Sequence, residues 1–286
     1  MKHSLLVSLA AIVVSVPAIS TAQMATWGQL ELEYGYGFIS GIDGNANSIA
    51  DTNPDSASLD GKLGADFGKY GVQLDLNYTD QFIDDNDYTG YANGNLAALH
   101  FNYDISPALS MGIVAGLGST QPANDPEATF NFYALEGAYD LGSYTIMGQI
   151  GAFDAEDSSN TDAFHNGTFA RVTGAYMLSA SAYIDAEIGY FAGKQDNGGS
   201  YDMTAITWGV GYSRQIGSRP MVWSVGLEGG NYTNGNGGDN GTFMETRATV
   251  GLTMWFGGGS AYDMRTRTIF DTPDFARIVV AGNSID

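Results

Sequence analysis

The residues able to do chemistry in this chain are mostly acids, and many recur two apart. Glu31 and Glu33; Asp60 and Lys62, with Asp66 four further on; Asp75 between Gln73 and Asn77; His100 with Asn102 and Asp104; Asp185 and Glu187; and Glu245 with Arg247 all keep this parity. Glu136, Gln149, Arg171 and Glu228 stand singly in similar surroundings. A spacing of two places side chains on one face of a β-strand. On that face, eleven carboxylates meet three bases, Lys62, Arg171 and Arg247. Carboxylates around a narrow water-filled passage lower the energy of a cation and raise that of an anion. A low-dielectric wall focuses the field. The same charges could instead pair with one another and fill a narrow interior. On sequence alone both readings stand.

Other chemistries find less support. Beyond the first few residues the chain has two histidines, His100 and His165. A lipid-cleaving Ser–His site would need its His near the apolar face, but His100 shares the polar face, and no Gly-x-Ser-x-Gly elbow occurs. Asp84, Asp85, Asp87 and His165 fall in polar connections, where acid–base hydrolysis is conceivable, although acids in loops are common without catalysis. Neither His is spaced for zinc. Asp43, Asn45 and Asn47 are similar to the start of a calcium loop, but Ser48 stands where its Gly belongs and Pro54 where its Glu belongs. Gly230, Gly235, Gly237 and Gly238 are turn composition, with no helix start after them to hold a phosphate. The expectation is no catalytic residue, no cofactor, no resident metal, and no enzyme. There is no Cys, so disulfides and thiolate chemistry are absent, and the net charge of −21 argues against nucleic acid.

The elements that must position the acids are legible from the opposite parity. Leu30, Leu32, Tyr34, Tyr36 and Phe38 share one side of a strand, as do Val72, Leu74, Leu76 and Tyr78, and Ala248, Val250, Leu252, Met254 and Phe256. Alternation of this kind predicts twelve strands, over 26–38, 57–67, 71–80, 95–105, 109–118, 128–139, 144–153, 167–177, 181–191, 205–214, 221–231 and 245–256. Short turns, such as that at Gly68 and Lys69, take turns with longer polar loops, such as 39–56. That asymmetry predicts an all-β fold: a transmembrane up-and-down antiparallel β-barrel with short periplasmic turns and longer extracellular loops. Closure is required because lipid offers no partner to an open edge. A soluble sandwich would prefer Val, Ile and Leu over rows of Tyr near strand ends.

Three segments follow. Residues 1–22, with Lys2, an apolar run to Ile19 and small residues at Ser20 to Ala22, read as a signal peptide. Residues 23–256 form the barrel. Residues 257–286 are a C-terminal extension carrying Arg265, Arg267 and Arg277, expected as a periplasmic tail or a lumen plug. A further hairpin, Asp263–Phe270 with Phe275–Val280, would instead make fourteen strands.

With the signal segment, hairpins such as Ala138–Tyr144 and the final run from Thr249 to Phe256, the chain resembles Gram-negative outer-membrane porin-type proteins. The resemblance covers roughly 26–256 and is one of architecture. The run ending in Phe256 is similar to the signal by which such proteins engage the barrel-assembly machinery. The resemblance implies an outer-membrane location, contact with the lipid bilayer and lipopolysaccharide, and passive diffusion of small hydrophilic solutes, with no subunit contact marked in the sequence. The expected pore-lining residues are Glu31, Glu33, Asp60, Lys62, Asp66, Asp75, His100, Glu136, Arg171, Asp185, Glu187, Glu228, Glu245 and Arg247. A weak cation preference follows from their balance. The alternatives are a non-conducting structural or adhesive surface barrel and, less supported, an outer-membrane hydrolase.

Overall fold

Alternation of apolar and polar residues gives each strand one face for lipid and one for the interior. In the computed structural model, which describes residues 24–43, 55–82, 91–122, 127–157, 164–196, 200–235 and 241–280, twelve antiparallel strands close on themselves. They are β1 (Met24–Asp43), β2 (Asp55–Phe67), β3 (Tyr70–Phe82), β4 (Tyr91–Ser106), β5 (Leu109–Pro122) and β6 (Ala128–Asp140). The second half comprises β7 (Tyr144–Asp157), β8 (His165–Ser179), β9 (Ala182–Asp196), β10 (Ser200–Gln215), β11 (Met221–Gly235) and β12 (Gly241–Phe256). Each strand pairs with its sequence neighbours, and β1 pairs with β12 to close the cylinder, with Leu32 opposite Leu252 and Tyr36 opposite Ala248. No strand is left with an edge, as lipid requires.

The outer surface is apolar. Leu117, Tyr133, Leu135 and Ile150 are each more than 60% exposed, a state that water would penalise and lipid would not. Near the short turns the outward rings cluster, with Tyr70 and Tyr103 centroids 5.1 Å apart and Tyr144 and Tyr176 6.2 Å apart, as an interfacial girdle requires. Several strands run past the expected limits at the long-loop end: β1 continues to Asp43 and β10 begins at Ser200. Above the lipid the ladder still forms, but neither face needs to be apolar, so the alternation that marks a strand in sequence fades before the strand does.

Residues 257–280 turn back into the barrel. Gly257, Gly258 and Gly259 all have positive φ (102°, 78° and 98°), a path that residues with a Cβ resist. A Cβ on Gly257 would also sit 2.8 Å from the Thr26 carbonyl oxygen and from Trp27 Cβ. Two short helices follow, α1 (Ala261–Arg267) and α2 (Phe275–Val280). These are the segments whose sequence admitted an added hairpin; the barrel stays at twelve strands, because both fold locally as helical turns. A capping box starts α1: the Asp263 N–H donates to Ser260 Oγ (3.1 Å) and the Ser260 N–H donates to Asp263 Oδ2 (2.8 Å). That bond from the Ser260 backbone is the main reason the Asp263 carboxyl lies below its usual range. At the start of α2 the Arg277 N–H donates to Asp274 Oδ1 (3.1 Å).

The tail spans the interior from one mouth to the other. The Tyr262 N–H donates to the carbonyl of Ala180, in the short turn after β8 (3.4 Å), and the Phe164 N–H, at the long-loop end, donates to the Val279 carbonyl (3.2 Å). Two apolar clusters hold it. At the short-turn mouth Tyr262, Met264, Ile269 and Phe270 pack with Trp27, Met147, Val222 and Trp255. In the long-loop half Phe275, Ile278 and Val279 pack among Phe130, Phe132, Phe153, Phe169 and Phe191.

Candidate functional site

Between the two apolar clusters lies a polar belt, built by the inward parity of the strands. All fourteen residues expected on the inner face point inward. Lys62, Asp75, His100, Glu136, Arg171, Glu245 and Arg247 are buried, and Glu31, Glu33, Asp60, Asp66, Asp185, Glu187 and Glu228 are half-buried. They fall into three groups with different surroundings.

The first group centres on Asp271 of the tail. Its Oδ1 accepts from Lys62 Nζ (2.7 Å), and its backbone carbonyl accepts from Gln149 Nε2 (2.7 Å) and Arg171 Nη1 (3.2 Å). Arg171 Nη2 stands 3.5 Å from Asp271 Oδ2, and its Nε donates to Glu187 Oε2 (3.2 Å). Lys62, Gln149 and Arg171 come from β2, β7 and β8, so one tail residue ties widely separated walls together. Lys62, Arg171 and Arg265 together surround the Asp271 carboxylate with positive charge.

The second group is dry. His100, 1% exposed, lies with Nδ1 3.0 Å from both Glu136 oxygens and Nε2 3.3 Å from Asp75 Oδ2. Gln149 Nε2 donates to Glu136 (3.0 Å), and Gln73 Nε2 donates to Asp75 (2.6 Å) and to the Phe270 carbonyl (2.7 Å). This packed network joins β3, β4, β6 and β7 to the tail. His100 and Glu136 border none of the three cavities described below.

The third group lies beside α2. Arg277 Nη1 donates to Glu228 Oε1 (3.1 Å), its Nε donates to Tyr232 Oη (3.0 Å), and Glu245 Oε2 is 3.6 Å away. Arg247 Nη2 donates to Glu245 Oε1 (2.7 Å).

The tail leaves space along one wall. A cavity of about 240 Å³ is bordered by Glu31, Glu33, Asp185, Glu187 and Glu228, with Arg265 and Asp271 on the tail side. A second, of about 220 Å³, continues past Glu31, Glu33, Asp60, Asn77, Glu187 and Glu228 toward Asp274. The two share Glu31, Glu33, Glu187 and Glu228, so they meet in the belt. Across the tail, Asp66 and Arg267 border a separate space of about 220 Å³ near the short turns. Asp84, Asp85 and Asp87, Asn45 to Pro54, and Gly237 and Gly238 lie outside the described residues. His165 begins β8, and its side chain lies outside them as well.

Sequence reasoning offered the tail, with Arg277, as a lumen plug among its alternatives, but it named neither Asp271 nor Phe275 as part of the interior. It also passed over the inward phenylalanines, which share parity with the charges: Phe130 and Phe132 with Glu136, Phe153 with Gln149, Phe169 with Arg171, and Phe191 with Glu187. That parity was the available signal.

No family model matches the chain, and no curated protein matches its sequence. Among solved structures, the fold is shared with an outer membrane channel from Pseudomonas putida F1, at a TM-score of 0.56 and 12% identity over 85% of this chain and 100% of that one. The KdgM porin in complex with disordered oligogalacturonate (TM-score 0.43, 13% identity, 79% and 99% coverage) and the CymD monoaromatic hydrocarbon channel (0.45, 9%, 81% and 88%) superpose too loosely to bear on the fold. The chain thus shares the closed antiparallel barrel fold of that channel.

Proposed function

We propose that this protein is an outer-membrane channel of Gram-negative type, in which small hydrophilic solutes pass beside the protein's own tail and cations are favoured. The observation that carries this reading is the pair of adjoining cavities on whose barrel wall the acids Glu31, Glu33, Asp60, Asp185, Glu187 and Glu228 outnumber the bases Lys62, Arg171 and Arg247. Water-filled space against such a wall concentrates cations and excludes anions. The apolar belt supports residence in lipid, with the long loops facing lipopolysaccharide and Phe256 closing the last strand as the element read by the assembly machinery. Residues 1–22 serve export and are removed.

A second reading, a barrel that does not conduct at rest, is favoured by the two apolar clusters that clasp the tail at both mouths. One measurement separates them. In planar bilayers under a salt gradient, the full chain should give a small conductance whose reversal potential has the sign of cation selectivity. The double substitution Glu33→Gln with Glu228→Gln should reduce that selectivity without closing the pore. Anion selectivity would overturn the acidic-lane reading, and silence from correctly folded, inserted protein would establish the resting barrel as closed.

A further inference from the structure

A water-filled pore has no use for rings on its wall, yet the long-loop half of this interior is aromatic. Phe275 of α2 sits in a box of five phenyl groups. Its centroid is 4.4 Å from Phe132 in a stacked arrangement, 5.2 Å from Phe169, 5.6 Å from Phe153, and 6.0 Å from both Phe130 and Phe191. The box comes from β6, β7, β8 and β9, strands of the barrel wall and not of the tail. Two residues on, Arg277 places its guanidinium on Glu228, Glu245 and Tyr232, and Tyr232 is backed by Phe243 at 4.7 Å. Take Arg277 away and this cluster holds two carboxylates against Arg247, an excess of one negative charge. The acidic cavity opens beside it, bordered by Glu228, Arg247 and Asp274.

We infer that this part of the lumen is a binding site for a small solute joining an aromatic ring to a cationic group, and that Phe275 and Arg277 fill it in cis. The inference rests on the channel reading and names the class of solute the channel would select. The box takes the ring, Glu228 and Glu245 take the charge, and the acidic lane leads the cation to them. Tail and solute then compete for one place, so the solute's apparent affinity is lowered by the fraction of time the tail is docked.

The test uses the full chain in detergent micelles, with phenethylammonium as the probe and calorimetric titration as the readout, which does not require that the barrel conduct. Ethylammonium supplies the charge without the ring, and 2-phenylethanol the ring without the charge. Phenethylammonium should bind the wild-type chain measurably, and the Phe275→Ala/Arg277→Ala chain about tenfold or more tightly. In that variant each half-probe should bind at least about tenfold more weakly than the whole. Adding Glu228→Gln and Glu245→Gln should bring phenethylammonium down to the affinity of 2-phenylethanol while leaving the latter unchanged, an internal check that the box still folds. No binding to the wild type would overturn the inference, since the tail would then be fixed core. So would equal affinity for ethylammonium and phenethylammonium in the variant. Binding without any bilayer current would leave the solute site standing and defeat the channel reading alone.

Discussion

Phe275→Asp should eject α2 from the barrel, whereas Asp271→Asn should leave it seated. The comparison turns on which anchor of the tail is stronger. The belt contributes charge pairs, and removing one partner of a buried pair costs about 3–5 kcal/mol. Asp271 belongs at the lower end, because its side chain keeps 28% of its surface and Arg171 retains Glu187 as a partner. The apolar anchor is larger. Phe275, Ile278 and Val279 are each no more than 1% exposed, and burying a side chain of this kind is worth about 1.5–3 kcal/mol. Replacing Phe275 by Asp removes a core ring, at about 3–5 kcal/mol, and sets a carboxylate among phenyl groups, at several more. The protein contains no Cys, so Ile278→Cys gives a single reporter, buried when α2 is docked. Its labelling by a membrane-impermeant maleimide follows the open fraction. Labelling should be more than about a hundredfold faster with Phe275→Asp than without it, and single-channel conductance should rise. With Asp271→Asn it should stay within about tenfold of the parent. Equal rates for the two would show that the belt, not the aromatic box, holds the tail.

The barrel was legible in the sequence because two constraints act on every strand at once. Lipid demands an apolar side chain at every second position, and the interior tolerates charge at the positions between. Leu30 and Glu31, or Ile184 and Asp185, therefore report their faces without any knowledge of their neighbours. Which inward residues meet across the lumen was not legible. Parity says that Lys62 and Arg171 face inward; it does not say that both reach the same Asp271. The helical form of the tail escaped notice for another reason. A helix of seven residues completes about two turns, too few for a periodicity to stand out. Its start was nevertheless written in the spacing of Ser260 and Asp263, and that of α2 in Asp274 and Arg277. The arginines of the tail need polar or acidic partners, and they have them. Arg277 meets its carboxylates inside the barrel, and Arg265 lies within electrostatic reach of Asp185.

The apolar exterior makes the other large prediction. Leu135, at the middle of β6, is 61% exposed and lies opposite Ile150 of β7, itself 64% exposed. In a protein surrounded by water, Leu135→Arg would be a surface substitution, worth within about 0.5 kcal/mol in either direction. In a bilayer the guanidinium would sit near the midplane, where Arg on a barrel's outer face costs about 2–4 kcal/mol. The substitution touches no lumen residue and no tail contact, so the whole difference reports the solvent of the outer face. Guanidinium unfolding of the protein in lipid vesicles should show an unfolding free energy lowered by that amount, seen as a lower midpoint at an unchanged slope. Moving the Arg to Leu178, half-exposed at the short-turn end of β8, should recover most of the loss, since the penalty falls to about 0–1 kcal/mol near the interface. An unchanged midpoint for Leu135→Arg would mean that this face does not meet hydrocarbon, and the acidic interior would then need an explanation other than a passage through a membrane.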